Sequence, residues 1–180
     1  MRPHYDSVSK ILHWLIFILL TIEFVVAWTM PGGRGMTEPT ALVSFHFSLG
    51  LLILCIMLIR AVWVATHRPP PQSDAMARYA NLLARLLHFT FYGIIVVLPF
   101  LGWAWAGARG WTVMFFGLFN LPPLVATGSA LGKSLGNMHS LLAGILVGLV
   151  GLHFVATLYH HFILKDDTLT RILPSVKKQD

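Results

Sequence analysis

The sequence predicts an all-α membrane protein: a four-helix bundle with both termini on the cytoplasmic side. Three observations carry that reading. Of 180 residues, 56% are hydrophobic and only 11% charged, far less charge than a soluble domain displays. Four apolar stretches, at about 8–30, 41–65, 82–106 and 137–163, each reach the ~20 residues that cross a bilayer as a helix. The basic residues are also unevenly shared. Arg2, Lys10, Arg60, Arg68, Arg78, Arg85, Lys165, Arg171, Lys177 and Lys178 fall on the side of the termini, against Arg34, Arg109 and Lys133 on the other. That bias places the termini inside. The net charge of +6 therefore reads as topology and contact with the lipid bilayer. Nucleic acid is a poor partner, since the basic residues flank spans.

The first helix is announced by Asp6 and Ser7 and stopped by Met30-Pro31-Gly32-Gly33. Its apolar run is too long for a cleavable signal peptide and lacks a small-residue cleavage site. A short outer loop carries Arg34 and Glu38, with Pro39 near the second helix start. That helix runs inward to Arg60, with Trp63 at the interface. Pro69-Pro70-Pro71 makes a stiff inner connector. Trp28 marks the outer end of the first helix, and Trp103 and Trp105 that of the third, as interfacial anchors. The outer loop 107–136 holds Trp111, Phe115, Phe116, Phe119 and Leu121 without one acidic residue. Such a loop is expected along the membrane interface or folded over the bundle mouth, with Pro122 and Pro123 breaking any helix there. The whole of 1–180 reads as a single bundle domain. Cys55, alone and mid-helix, offers neither disulfide nor thiolate metal site, and no Cys-x-x-Cys-His motif for covalent haem is present.

Nine histidines in so apolar a chain need a reason. His4 and His67 lie outside the spans. His13, His46, His88, His139 and His153 lie within them, where an ionisable side chain is costly and marks function. A single histidine is readily explained as interhelical glue, but five in one small bundle favour cofactor ligation. His139 and His153 are fourteen residues apart, which is ~1400°, or ~40° short of four turns. They share one face ~21 Å apart, a separation that suits two stacked haem irons and that no single ion spans. His46, seven residues beyond Pro39, and His139, six beyond Lys133, match in depth. His13 and His88 each lie fifteen residues before an outer tryptophan, so depth alone leaves both as partners for His153. Gly50, Gly144, Gly148 and Gly151 allow either a flat cofactor or close helix packing.

At these positions the sequence resembles the bacterial cytochrome b561 family, four-helix di-haem quinone-linked cytochromes of the inner membrane. The likeness spans nearly the whole chain: ILHWLIFILL around His13, SFHFSLG around His46, RLLHFTFYGIIVVLPFLGW around His88, NMHS at His139, and GLHFVATLYHHFILKDDTLTRILP from His153. The last block is the most specific. The resemblance implies two haem b groups, with axial iron ligands His46 and His139 for the outer one and His13 and His153 for the inner. His88 is then left to support a ligand or touch substrate. Within the family the chain looks like superoxide oxidases, which pass electrons from superoxide to ubiquinone. Other members serve as cytochrome subunits of a partner dehydrogenase or hydrogenase, with a protein electron donor. Two departures stand out from the superoxide-oxidising type: Glu23, where that type is apolar, and an outer loop without acids.

Bis-histidine ligation leaves no open iron position and favours outer-sphere electron transfer. His160 and Lys165, just past the inner ligand, are the candidate catalytic residues for delivering protons to quinone. Arg109 and Lys133 are candidates for steering superoxide or contacting haem propionates. Glu23, ~15 Å beyond His13 but about 80° off its face, reads as a proton relay or a neutral acid bonded to a neighbouring helix.

Overall fold

The computed structural model describes residues 5–31, 37–67 and 78–174, apart from the side chains of Arg78 and Ala80. Arg2, His4, Gly32, Gly33, Arg34, Arg68, the Pro69–Pro71 run, Lys177 and Lys178 lie outside the described residues. The elements run α1 (Ser7–Thr29), α2 (Ala41–Thr66), α3 (Arg78–Ala108), β1 (Val113–Phe115), β2 (Phe119–Leu121), α4 (Ala130–Tyr159), a π turn (His160–Leu164) and α5 (Thr168–Ile172). Four of these helices are long and apolar enough to cross a membrane. Their outward faces carry large apolar side chains such as Ile11, Phe89 and Val155, which is what lipid as solvent requires and water would not tolerate.

Helix ends are set by caps. Asp6 accepts from the Ser9 amide at 2.9 Å and the Ser9 hydroxyl at 2.6 Å, closing the start of α1. Thr40 and Ser129 cap α2 and α4 in the same way. Two boundaries differ from expectation: α3 begins at Arg78 rather than 82, and α4 at Ala130 rather than 137. Hydropathy marks the part of a helix that lies in lipid. The helix itself continues until something caps or breaks it, and Ser129 does so for α4 well before the apolar run.

α1 packs on α2, α2 on α3, and α3 on α4. Close approach of α4 to α3 uses Gly132 and Gly136, a Gly-x-x-x-Gly pair that the sequence reading passed over. A β-carbon on either would collide with Ala108 or with the Trp105 ring. Gly144, Gly148 and Gly151 face open space instead. Mid-bundle, Ile16, Leu49, Ile53, Met57, Ile95 and Leu146 form the dry core. At the end that holds the termini, Arg60 donates to the Tyr92 hydroxyl and the Ser9 carbonyl, both at 3.0 Å, clasping α1, α2 and α3 together.

The loop between α3 and α4 folds over the opposite mouth as an antiparallel hairpin, pairing Val113 with Leu121 and Phe115 with Phe119. Phe116 and Gly117 both take positive φ, 44° and 74°, as a tight hairpin turn demands. Ser48 on α2 pins the hairpin by donating to Met114 O at 2.9 Å and accepting from the Phe116 amide at 3.0 Å. Trp111 is buried and donates to Thr37 O at 3.1 Å. Trp105 is half-buried against Trp111 and Gly136. It is a packing residue, so its reading as an interfacial anchor is corrected; Trp28, 71% exposed, fits that role.

Candidate cofactor sites within the bundle

His46 enters from α2 and His139 from α4, just beneath the hairpin. Their ring centroids are 6.0 Å apart with planes at 81°. Two metal–nitrogen bonds of ~2 Å, with ~1 Å more from each nitrogen to its ring centre, call for ~6 Å. In each ring Nδ1 faces a nearby oxygen, hydrogen-bonded in His139 and within ion-pair distance but out of line in His46. His139 Nδ1 lies 2.9 Å from Leu98 O, and His46 Nδ1 lies 2.9 Å from Glu23 Oε1. The two Nε2 atoms are then the nitrogens that could ligate a metal, as in sites where the far nitrogen of a metal-bound histidine is held by an acceptor.

Around the pair lies a cavity of about 410 Å³ reached by all four helices, with Phe24, Phe47, Leu98 and Val147 among its walls. That is cofactor-sized. Gly102 lets α3 approach the His139 ring, which a β-carbon there would meet at 3.2 Å. Gly144 also lines the cavity, and the open space before it favours clearance over helix packing. Gly50 has a different neighbour: its β-carbon would stand 3.3 Å from Glu23 Oε1, so it makes room for that carboxylate. Two facing imidazoles, apolar walls and missing β-carbons suit a flat, apolar group with a central metal.

At the other level His153 projects from the same face of α4 as His139. Leu146, fully buried, sits seven residues from each, between the two levels. The His153 ring meets His88 at 5.5 Å and Phe91 at 5.7 Å, both edge-on. His13 shares this end with Arg60, His153 and His88, and its own neighbour Trp14 donates to Ile172 O at 3.0 Å. His88 is exposed, with Nδ1 turned back 2.6 Å to Ala84 O of its own helix. The structure therefore brings His13, His88 and His153 to one level.

His160 begins the π turn, and its partner is Asp166, at 2.5 Å from Nδ1. Burial raises the Asp166 carboxyl, but the bonds from His160 and Thr168 outweigh it and hold the group below the usual carboxylate range. Lys165 takes the left-handed conformation, φ 51°, and its amide closes the turn on His160 O. Its side chain is exposed. The pair that meets is thus His160 with Asp166, which the sequence reading missed although it quoted the Lys-Asp-Asp block. Of the two steering candidates, Arg109 is stacked 4.1 Å from the Trp111 ring and 5.2 Å from Trp105, a cation–π role that ties down the loop. Lys133 is exposed on the first turn of α4.

The sequence matches the family model described as prokaryotic cytochrome b561 over residues 4–175. The chain belongs to the prokaryotic cytochrome b561 family. Relatives within reach include one from Yersinia pestis named "Probable superoxide oxidase CybB", 30% identical over 97% of this chain and 98% of its own length. "Cytochrome b561 homolog 2" of Escherichia coli is 30% identical over 94% of this chain and 90% of its own. "Cytochrome b562" of Cereibacter sphaeroides is 25% identical, with 96% of each chain covered. As a cytochrome b561 the chain is a multi-pass membrane electron-transport protein of haem b type.

Proposed function

We propose that this cytochrome b561 oxidises superoxide at its hairpin face and delivers the electrons to ubiquinone at the face of the termini. The hairpin face is then outside, and the termini lie in the cytoplasm of a bacterium whose inner membrane holds the chain. The observation that carries the reading is the His46–His139 pair, each ring with its Nδ1 beside an oxygen and its Nε2 available within an apolar cavity. The likeness to a relative named as a superoxide oxidase supports the choice of donor.

His46 and His139 would hold one haem b, and His13 and His153 a second. When bound, these groups take up and release single electrons by cycling their iron between ferric and ferrous states. Two superoxide anions each give one electron and leave as dioxygen, while one quinone takes both electrons and two protons to become quinol. At the hairpin face Lys133 supplies positive charge for an approaching anion, while stacked Arg109 fixes the surface that bears it. At the termini, Asp166 would accept from His160 Nδ1, and the doubly protonated ring would carry its second proton on Nε2, from which it could pass to a quinone carbonyl. Lys165, exposed beside it, offers a second proton donor at the cytoplasmic boundary.

Rapid mixing of oxidised holoprotein with superoxide, with and without quinone, tests this reading. Haem reduction by superoxide and reoxidation by quinone are expected, with reduction slowing as the Debye length falls from ~10 Å at 0.1 M salt to ~3 Å at 1 M. His160→Ala and Lys165→Ala should slow only the quinone step. Haems that stay oxidised under superoxide would leave a quinone-linked cytochrome subunit served by a protein donor.

A further inference from the structure

Glu23 is the one acidic side chain placed deep in α1, and the family role described above gives it no task. It stands among the cavity walls, 12% exposed, with Oε1 2.9 Å from His46 Nδ1. The ring is turned so that an N–H on Nδ1 would not point straight at that oxygen, and Glu23 Oε2 is buried with no hydrogen-bond partner among the described residues. The ring torsion of a histidine is soft, so a rotation of the His46 ring would be the change that brings the N–H into line. The packing accommodates the contact on purpose, because Gly50 is the residue that leaves space for the carboxylate on α2.

From this geometry we infer that Glu23 is a positioning residue for His46, holding its Nδ1–H and making the outer haem iron harder to reduce. The inference rests on the assignment of His46 as an iron ligand. A ligating histidine must present Nε2 as a lone pair, so its proton is on Nδ1 and needs an acceptor. His139 meets that need with a neutral backbone carbonyl, Leu98 O. His46 meets it with a carboxylate, a stronger acceptor that pushes electron density into the ring. A more basic imidazole, with a negative charge behind it, stabilises ferric over ferrous iron. The two ligands of one haem are therefore unequal, and an outer iron made harder to reduce hands its electron inward more readily.

Redox titration of the purified full-length holoprotein tests this through a potential and not through turnover. In Glu23→Gln, which keeps an acceptor but loses the charge, one of two waves should move toward easier reduction by at least tenfold in equilibrium constant, or 59 mV for one electron. The other wave should stay in place. The wave that moves must be the one that disappears in His139→Ala. Glu23→Leu should move it at least as far, and if that variant loses the haem, Glu23→Gln decides. Both waves unmoved, with haem content intact, would overturn the inference. A wild-type chain that binds no haem would overturn the ligand assignment itself.

Discussion

Replacing His139 by alanine is expected to take one of two haems out of the protein and leave the other spectrally intact. Among the proposed ligands His139 has a closely constrained setting: its ring abuts Gly102, its Nδ1 is held by Leu98 O, and it stands 6.0 Å from the His46 ring at 81°. Removing it leaves His46 alone on Glu23, and one imidazole does not sustain low-spin bis-histidine iron. His46→Ala should have the same effect from the opposite side. The second haem should survive both changes, because Leu146 and the core around Ile53 and Ile95 separate the levels. Haem content would fall by half, and superoxide-driven quinone reduction would be lost, while the folded bundle persists. Pyridine haemochrome assay with circular dichroism on each variant checks this. Full haem content in His139→Ala would remove His139 from the ligand set.

The second large effect belongs to the inner level. His153→Ala should remove the inner haem and stop electron delivery to quinone while the outer haem still accepts an electron from superoxide. Its partner is the sharper question. The family likeness gives His13, and the structure places His13 at this level beside Arg60. His88 competes, with its ring 5.5 Å from His153, close to the spacing a shared iron requires. Its side chain is nonetheless exposed, with Nδ1 turned back to Ala84 O of its own helix. His13→Ala should therefore lose the inner haem and His88→Ala keep it, with difference spectra of both variants as the readout. The reverse result would make His88 the ligand and assign His13 to the support of Arg60 and Trp14.

Much of this was readable before any coordinates. Four spans follow from hydropathy, and the meeting of His46 with His139 follows from depth, because helical rise is fixed whatever the helix ends do. His46 and His139 meet even though α4 starts at Ala130, earlier than the apolar run. The same-face placement of His139 and His153 is a property of fourteen-residue spacing alone. What escaped depends on which helix faces which. Glu23 is far from His46 in sequence, and only the packing of α1 on α2 brings them together. The His160–Asp166 pair needs a π turn that no residue announces. The hairpin hid in an apolar loop because its strands are only three residues each, too short for an alternating pattern. Trp105 looked like an interfacial anchor until the glycine opposite it, Gly136, came into view.

Two bis-histidine haems at separate levels of one bundle are what the proposed function requires. Quantitation of haem per chain on the fully loaded protein, read with its reduced-minus-oxidised spectrum, is the decisive measurement. Two non-covalent haems b per chain, both low-spin, are expected. Zero or one haem per chain, or a high-spin spectrum with an open iron position, would contradict this.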